Sequence, residues 1–235
     1  MHILISLLVI AVIGFAAWQG YRRGIVGSVL AVVFIALSVF GANMVANTYS
    51  NEFTTMFRPF IGGYLDRIEA EAAETIAPAG MEHFSVTELF QIEPAIEPVL
   101  ARQVVSYMGV HESRTEEIVQ DYLYLRGYGY GVNDAMTTVL VDLFCFLLVF
   151  VVAFLAILIT LTVIYNVIPL SFRIPHFGRG DDIGGAAAGL VQGVLLVFMA
   201  AWLIGYIGIA LPESVERAGV LNFFVNNNPM VVFIG

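Results

Sequence analysis

The residues of this 235-residue chain best able to do chemistry are polar groups set inside or beside apolar runs. Asp142 is the single acid within a long apolar stretch, and an ionisable side chain at membrane depth commonly marks an ion path. It also stands a few residues from the start of that stretch, where a carboxylate reaches interfacial water, and this plainer reading is preferred. Gln192, next to Gly193, sits deeper and can hydrogen-bond between helices, so packing glue is the first reading and substrate contact the second. Asp181 and Asp182 follow Arg179 in a polar turn. They can bind a cation, pair with Arg179 or with Arg22 and Arg23, or start the helix that follows, whose backbone dipole favours acids at its N-terminus; the last is preferred.

Other constellations are weaker. Glu69, Glu71 and Glu74 lack the ligand arrangement of a calcium loop and read as a solvated face. His2, His83, His111 and His176 show no zinc spacing, and no serine stands in a G-x-S-x-G elbow with plausible partners. The expectation is a chain with no catalytic constellation, no metal and no cofactor.

The element that positions Asp181 and Gln192 is an apolar stretch over 183–211 without a charged side chain. About 20 such residues cross a bilayer core. Gly185, Gly189 and Gly193 fall nearly on one face, since four residues turn a helix by about 400°, and in lipid such a face lets a neighbouring backbone approach closely. Ala201, Gly205 and Gly208 continue the stripe loosely. A first span is expected over 3–18, followed by a tight polar turn from Gln19 to Gly24 that reverses the chain. A second span, 25–48, repeats the small-residue device with Gly27, Ala31, Ser38, Ala42 and Ala46, so spans one and two should form a close hairpin. The third, 139–168, carries Asp142 and leads through a turn bracketed by Pro169 and Pro175 and containing Arg173, His176 and Arg179. The apolar start lacks the positive n-region of a signal peptide, so it is expected to stay as a span.

Between 49 and 138 the composition changes, with fourteen of the nineteen acids and five arginines. Ser85 with Glu88, and Ser113 with Glu116, have the spacing of capping boxes. Leu89, Ile92, Ile96 and Leu100, then Ile118, Tyr122 and Leu125, recur at helical spacing. Pro94 and Pro98 interrupt the first set and Gly127, Gly129 and Gly131 end the second. An earlier helix is expected over 52–76, broken at Pro59 or at Gly62 and Gly63. This is a small, mainly helical aqueous domain that leans on the membrane surface or a partner. The tail after Pro212 is polar, and its apolar end, Met230 to Ile234, is too short to span.

Composition agrees with this division. Hydrophobic residues make up 59% and charged residues 12%, against about 45–50% and 25% in soluble domains, which favours a polytopic membrane protein. Ten arginines, no lysine and a net charge of −9 make nucleic acid an improbable partner, because binding its backbone needs clustered positive charge. The sole cysteine, Cys145, excludes an intrachain disulfide. Four arginines flank the two short turns (Arg22, Arg23, Arg173, Arg179) and three the opposite side (Arg58, Arg126, Arg217), so the positive-inside rule places the turns in the cytoplasm, with the insert and both termini outside. The reading is thus an all-α membrane protein, four transmembrane helices as two hairpins with a helical acidic extracytoplasmic insert. The divisions are 1–48 (spans one and two), 49–138 (insert), 139–211 (spans three and four) and 212–235 (extracytoplasmic tail).

These features resemble the colicin V production protein (CvpA) family of bacterial inner-membrane proteins, which typically has four spans. The resemblance rests on Arg23-Gly24 opening the second span, on Asn166 near the end of the third, and on Asp181 followed at steps of four by Gly185, Gly189 and Gly193. It covers roughly 2–48 and 139–211. Gly27 and Ser28 stand where many members carry a charged pair, and the insert is longer than in compact members. The resemblance implies bacteriocin or toxin production or export, or envelope homeostasis, in the bacterial inner membrane. Two other classes fit the residues: a small-solute or proton-coupled transporter or channel subunit, for which Asp142, Gln192, Asn43 and Asn166 are a sparse polar set, and a scaffold that recruits an extracytoplasmic partner. The expected partners are the bilayer and, through the glycine face, a second copy or another membrane protein; no small-molecule substrate is named by the sequence.

Overall fold

The structure is a computed structural model that describes residues 2–76, 94–108, 110, 112–167, 178–207, 223–225, 227–230 and 234. It is all-helical. Helix α1 runs His2–Ile76, a 3-10 turn covers Pro94–Ile96, and α2 (Glu97–Tyr107), α3 (Glu112–Gly127), α4 (Val132–Val167) and α5 (Arg179–Ile207) follow. Three helical stretches, Ile3–Ile68, Val132–Val167 and Arg179–Tyr206, are long and apolar enough to cross a membrane.

Helix α1 is one element only in name. Gly24 has φ 75° and ψ 176°, a backbone conformation essentially reserved for glycine. The Ser28 hydroxyl lies 2.9 Å from the Gly24 carbonyl and 3.2 Å from the Gly20 carbonyl, although eight residues of continuous helix would separate donor and acceptor by about 12 Å. The axis therefore changes direction sharply at Gly24. The expected six-residue turn is a correction: residues 19–23 stay helical, because one glycine at positive φ suffices to redirect the chain.

The chain divides into two compact units: 1–47 with 149–204 and 211–235, and 48–148 with 205–210. In the first, Ile35, Ser38, Ala42 and Ala46 are buried at helical spacing. Phe150 stacks on Phe154 and lies 5.1 Å from Trp202, tying α4 to α5. The tail contributes too. Phe224 is buried with Val9, Val197 and Ala201, and Asn228 donates to the Phe198 carbonyl at 2.9 Å, so Phe224 and Asn228 belong to the packing of this unit.

The second unit has a core built from four helices: Leu65 and Ile68 of α1, Leu100, Val104 and Val105 of α2, Ile118, Val119 and Tyr122 of α3, and Met136, Val139 and Leu140 of α4. Full burial of each such aliphatic side chain is worth about 1.5–3 kcal/mol. The unit extends ten residues past the expected limit at 138, to Leu148, because α4 begins at Val132, before its apolar run, and its first turns complete this core. Similarly α1 runs unbroken through Pro59, Gly62 and Gly63 to Ile76. A proline forfeits one backbone hydrogen bond, and the packing of Ile61, Leu65 and Ile68 holds the helix together across it. Pro98 sits in the first turn of α2, where its missing N–H is no loss. At the other end of α3 only Gly129 takes a positive φ, 89°, and Arg126 donates to the Tyr130 carbonyl across that loop.

One capping expectation is revised. Helix α3 starts at Glu112, so Ser113 lies within its first turn and not at its cap. Glu116 instead pairs with Arg102 of α2 through two hydrogen bonds at 3.0 and 3.1 Å. Ser85 and Glu88, Leu89 and Ile92, the turn from Pro169 to Pro175 with Arg173 and His176, His83, His111, Gly208 and Arg217 lie outside the described residues, as do the side chains of His2, Glu69, Glu71 and Glu74.

Candidate functional site

The face that gathers the sequence-selected residues is formed by the start of α1 and the start of α5. A methyl group at Gly185 would lie 2.9 Å from Gly24 Cα and 2.7 Å from its carbonyl carbon. At Gly189 it would lie 2.9 Å from Gly20 Cα, and at Gly193 2.9 Å from Ile13 Cα and 3.0 Å from Ala16 Cβ. The partner sequence is itself small: a methyl at Gly20 would lie 2.8 Å from Gly189 Cα. As the α5 number rises from 185 to 193 the α1 number falls from 24 to 13, so the two helices run antiparallel with backbones in contact. A methyl group at Gly205 would meet nothing within 4 Å among the described residues, whereas Ala201 is buried.

Asp181 closes this face at one end. Its Oδ1 accepts a hydrogen bond from the Ile25 backbone N–H at 2.9 Å, while its own N–H donates to the Gly178 carbonyl. Ile25 is the first residue after the break at Gly24, so its amide is one of the donors that a new helix leaves unpaired. Asp181 therefore caps a helix other than its own. Asp181 and Asp182 do lie in the first turn of α5; the cap across to α1 was not legible in sequence, because nothing along the chain pairs residue 25 with residue 181. Ser28, fully buried on Gly20 and Gly24, is the other missed member. Its signal was available: a serine one turn after the glycine break can return its hydroxyl to the freed carbonyls.

The remaining candidates disperse. Asn166 donates from Nδ2 to the Thr162 carbonyl at 2.9 Å, and Asn43 accepts from the Asn47 side chain. Gln192 is half-buried and borders a cavity of about 290 Å³ together with Gln19, Arg23, Thr162, Tyr165 and Asn166. Asp142 is exposed and falls in the second unit. Adjacent arginines differ in their use: the Arg22 guanidinium lies 5.1 Å over the Trp18 ring, whereas Arg23 lines the cavity.

In the second unit the densest polar cluster joins α2 to α3. Glu97 accepts from the Tyr122 hydroxyl at 2.8 Å and from Arg126 Nε. Burial, then the Glu97 carboxylate, pushes the Tyr122 hydroxyl well above the usual phenol range. This is a clamp between helices. Among the described residues no group of three His, Cys, Asp or Glu side chains could hold a metal ion. Comparison of the chain with protein families, with curated proteins and with solved structures finds no match.

Proposed function

We propose that this chain is a CvpA-like integral membrane protein, non-catalytic, acting in bacteriocin or toxin production or export and in envelope homeostasis. In this reading it sits in the bacterial inner membrane with four spans in two hairpins. Spans one and two are the parts of α1 on either side of Gly24, and the acidic insert and both termini are extracytoplasmic. One observation carries it: two of the three features on which the resemblance rests, Arg23-Gly24 and Asp181 with its three glycines, meet in a single contact closed by the hydrogen bond from Ile25 to Asp181.

The test is complementation. In a colicin V-producing bacterium lacking its own protein of this family, the full chain is expected to restore colicin V release. Asp181→Ala, which removes a cap worth about 1 kcal/mol, should restore less, and Asp181→Asn should fall between. A chain that inserts and accumulates normally yet restores nothing would sink the role. Thiol labelling in a Cys145→Ala background checks the arrangement: an impermeant reagent should reach Ser85→Cys but not Arg179→Cys in intact cells, and the opposite pattern would invert it.

A further inference from the structure

Four polar side chains that can hydrogen-bond a ligand, Gln19, Arg23, Tyr165 and Gln192, line the 290 Å³ cavity. Their surroundings include Phe34, Leu158 and Leu196. Arg23 is exposed and the other three are half-buried, so the cavity opens to the surface, and Arg23 brings the one charge among its described lining residues. A site of this kind selects an anion, with neutral donors and acceptors around one guanidinium. At about 30 Å³ per water the volume suits a head group and not a large metabolite.

A second groove, about 350 Å³, shares Gln19, Gln192 and Leu196 with the cavity and is otherwise apolar. It follows α1 from Gln19 to Leu8 past Phe15 and Ala11. Eleven residues of helix rise about 16 Å, close to half of a bilayer core of about 30 Å. The groove thus has the length of one leaflet, and its polar end adjoins the cationic cavity.

We propose that the two together form a binding site for one anionic lipid, its phosphate at Arg23 beside Gln19 and Gln192 and one acyl chain along the Leu8 to Phe15 groove. The site uses only the packing of α1, α4 and α5, so it stands whether or not the chain serves bacteriocin release. Free phosphate shares the head-group chemistry but leaves the groove unused.

The full chain in detergent, followed by native mass spectrometry, separates these. Phosphatidylglycerol is expected to give a first adduct about tenfold tighter than phosphatidylcholine of the same chains, because both carry the phosphate but the choline ammonium opposes the Arg23 guanidinium. Arg23→Gln should reduce the preference to near parity, while Arg22→Gln, whose native guanidinium rests on Trp18, should retain it. Gln192→Leu, which keeps the glycine contact, should weaken the first adduct, and Ala11→Phe, which fills the groove, should weaken both lipids alike. Equal binding of the two lipids, an equal loss in Arg22→Gln, or displacement of phosphatidylglycerol by millimolar inorganic phosphate would each overturn the proposal. If Arg23→Gln fails to fold, Gln192→Leu and Ala11→Phe still decide it.

Discussion

The unit containing the start of α1 and the unit containing α2 and α3 are held together by opposite devices. In the first, helices meet where side chains are missing, at Gly20, Gly185, Gly189 and Gly193. In the second they meet through large ones, with Tyr122, Leu65, Leu100 and Met136 almost wholly buried. The difference is the one that the proposed placement of the first unit in lipid and the second in water predicts. Lipid tails are as apolar as leucine, so a leucine gains little by leaving them and close backbone contact has to supply the attraction. In water the burial of apolar area is itself the driving force. The polar contacts divide the same way: a backbone amide capped by Asp181 in one unit, a side-chain network around Glu97 in the other.

That contrast can be broken most sharply at Gly189. Leucine there would strike the Ala16 carbonyl and Gly20 Cα, and overpacking costs about 1–3 kcal/mol or more. The same change improves an isolated span by propensity. Gly189→Leu should therefore insert normally yet melt lower in detergent, with Gly189→Ala milder and Leu190→Ala, at an exposed position, nearly neutral. A Leu190→Ala loss larger than that of Gly189→Leu would show that the glycine face is not what holds the first unit.

In the second unit the corresponding lesion is Glu97→Ala. It strips the acceptor from Tyr122 and leaves the Arg126 guanidinium partly buried without its carboxylate, at a cost of about 1.5–3 kcal/mol. Tyr122→Phe should cost less, about 1 kcal/mol, because Arg126 still holds Glu97. Denaturant unfolding of the full chain, read by helical signal, measures both; equal losses would mean that the hydroxyl and not the ion pair is the important member.

The smallest effect concerns Arg102 and Glu116. The hydrogen bond from Arg102 lowers the Glu116 pKa below its ordinary value. A carboxylate with a depressed folded pKa contributes stability that is present above its unfolded pKa and is lost as pH falls through the folded value. Both side chains are about half exposed, so the contribution is screened by salt. Acid titration of stability should show a shallow fall over the lower carboxylate range that Arg102→Gln removes and added salt blunts.

Much of this was legible along the chain. An apolar run broken only by Asp142 marked α4 and a run without charge marked α5, the four-residue glycine spacing marked the face that meets α1, and Ile118 with Tyr122 lay on the buried side of α3. What was not legible is nonlocal. That α4 would begin at Val132, and α1 run past Pro59, depends on a core in which Met136 and Leu65 meet α2 and α3, and no window of a single helix contains that information. Ser28 was read as a departure from a family pattern, when its value lies in the carbonyls that Gly24 frees.

The bond from Ile25 to Asp181 joins residues 156 positions apart, and it therefore has a birth date. At the usual synthesis rate of about 5–20 residues per second, the amide of Ile25 is made roughly 8–30 s before its acceptor. Through that interval the opening of the helix after Gly24 must be satisfied by another donor or acceptor such as water, which in the proposed membrane arrangement calls for this bend to stay at the wet edge of the bilayer. The last long helix then arrives as a keystone, displacing the solvent and locking a corner that the ribosome had left open.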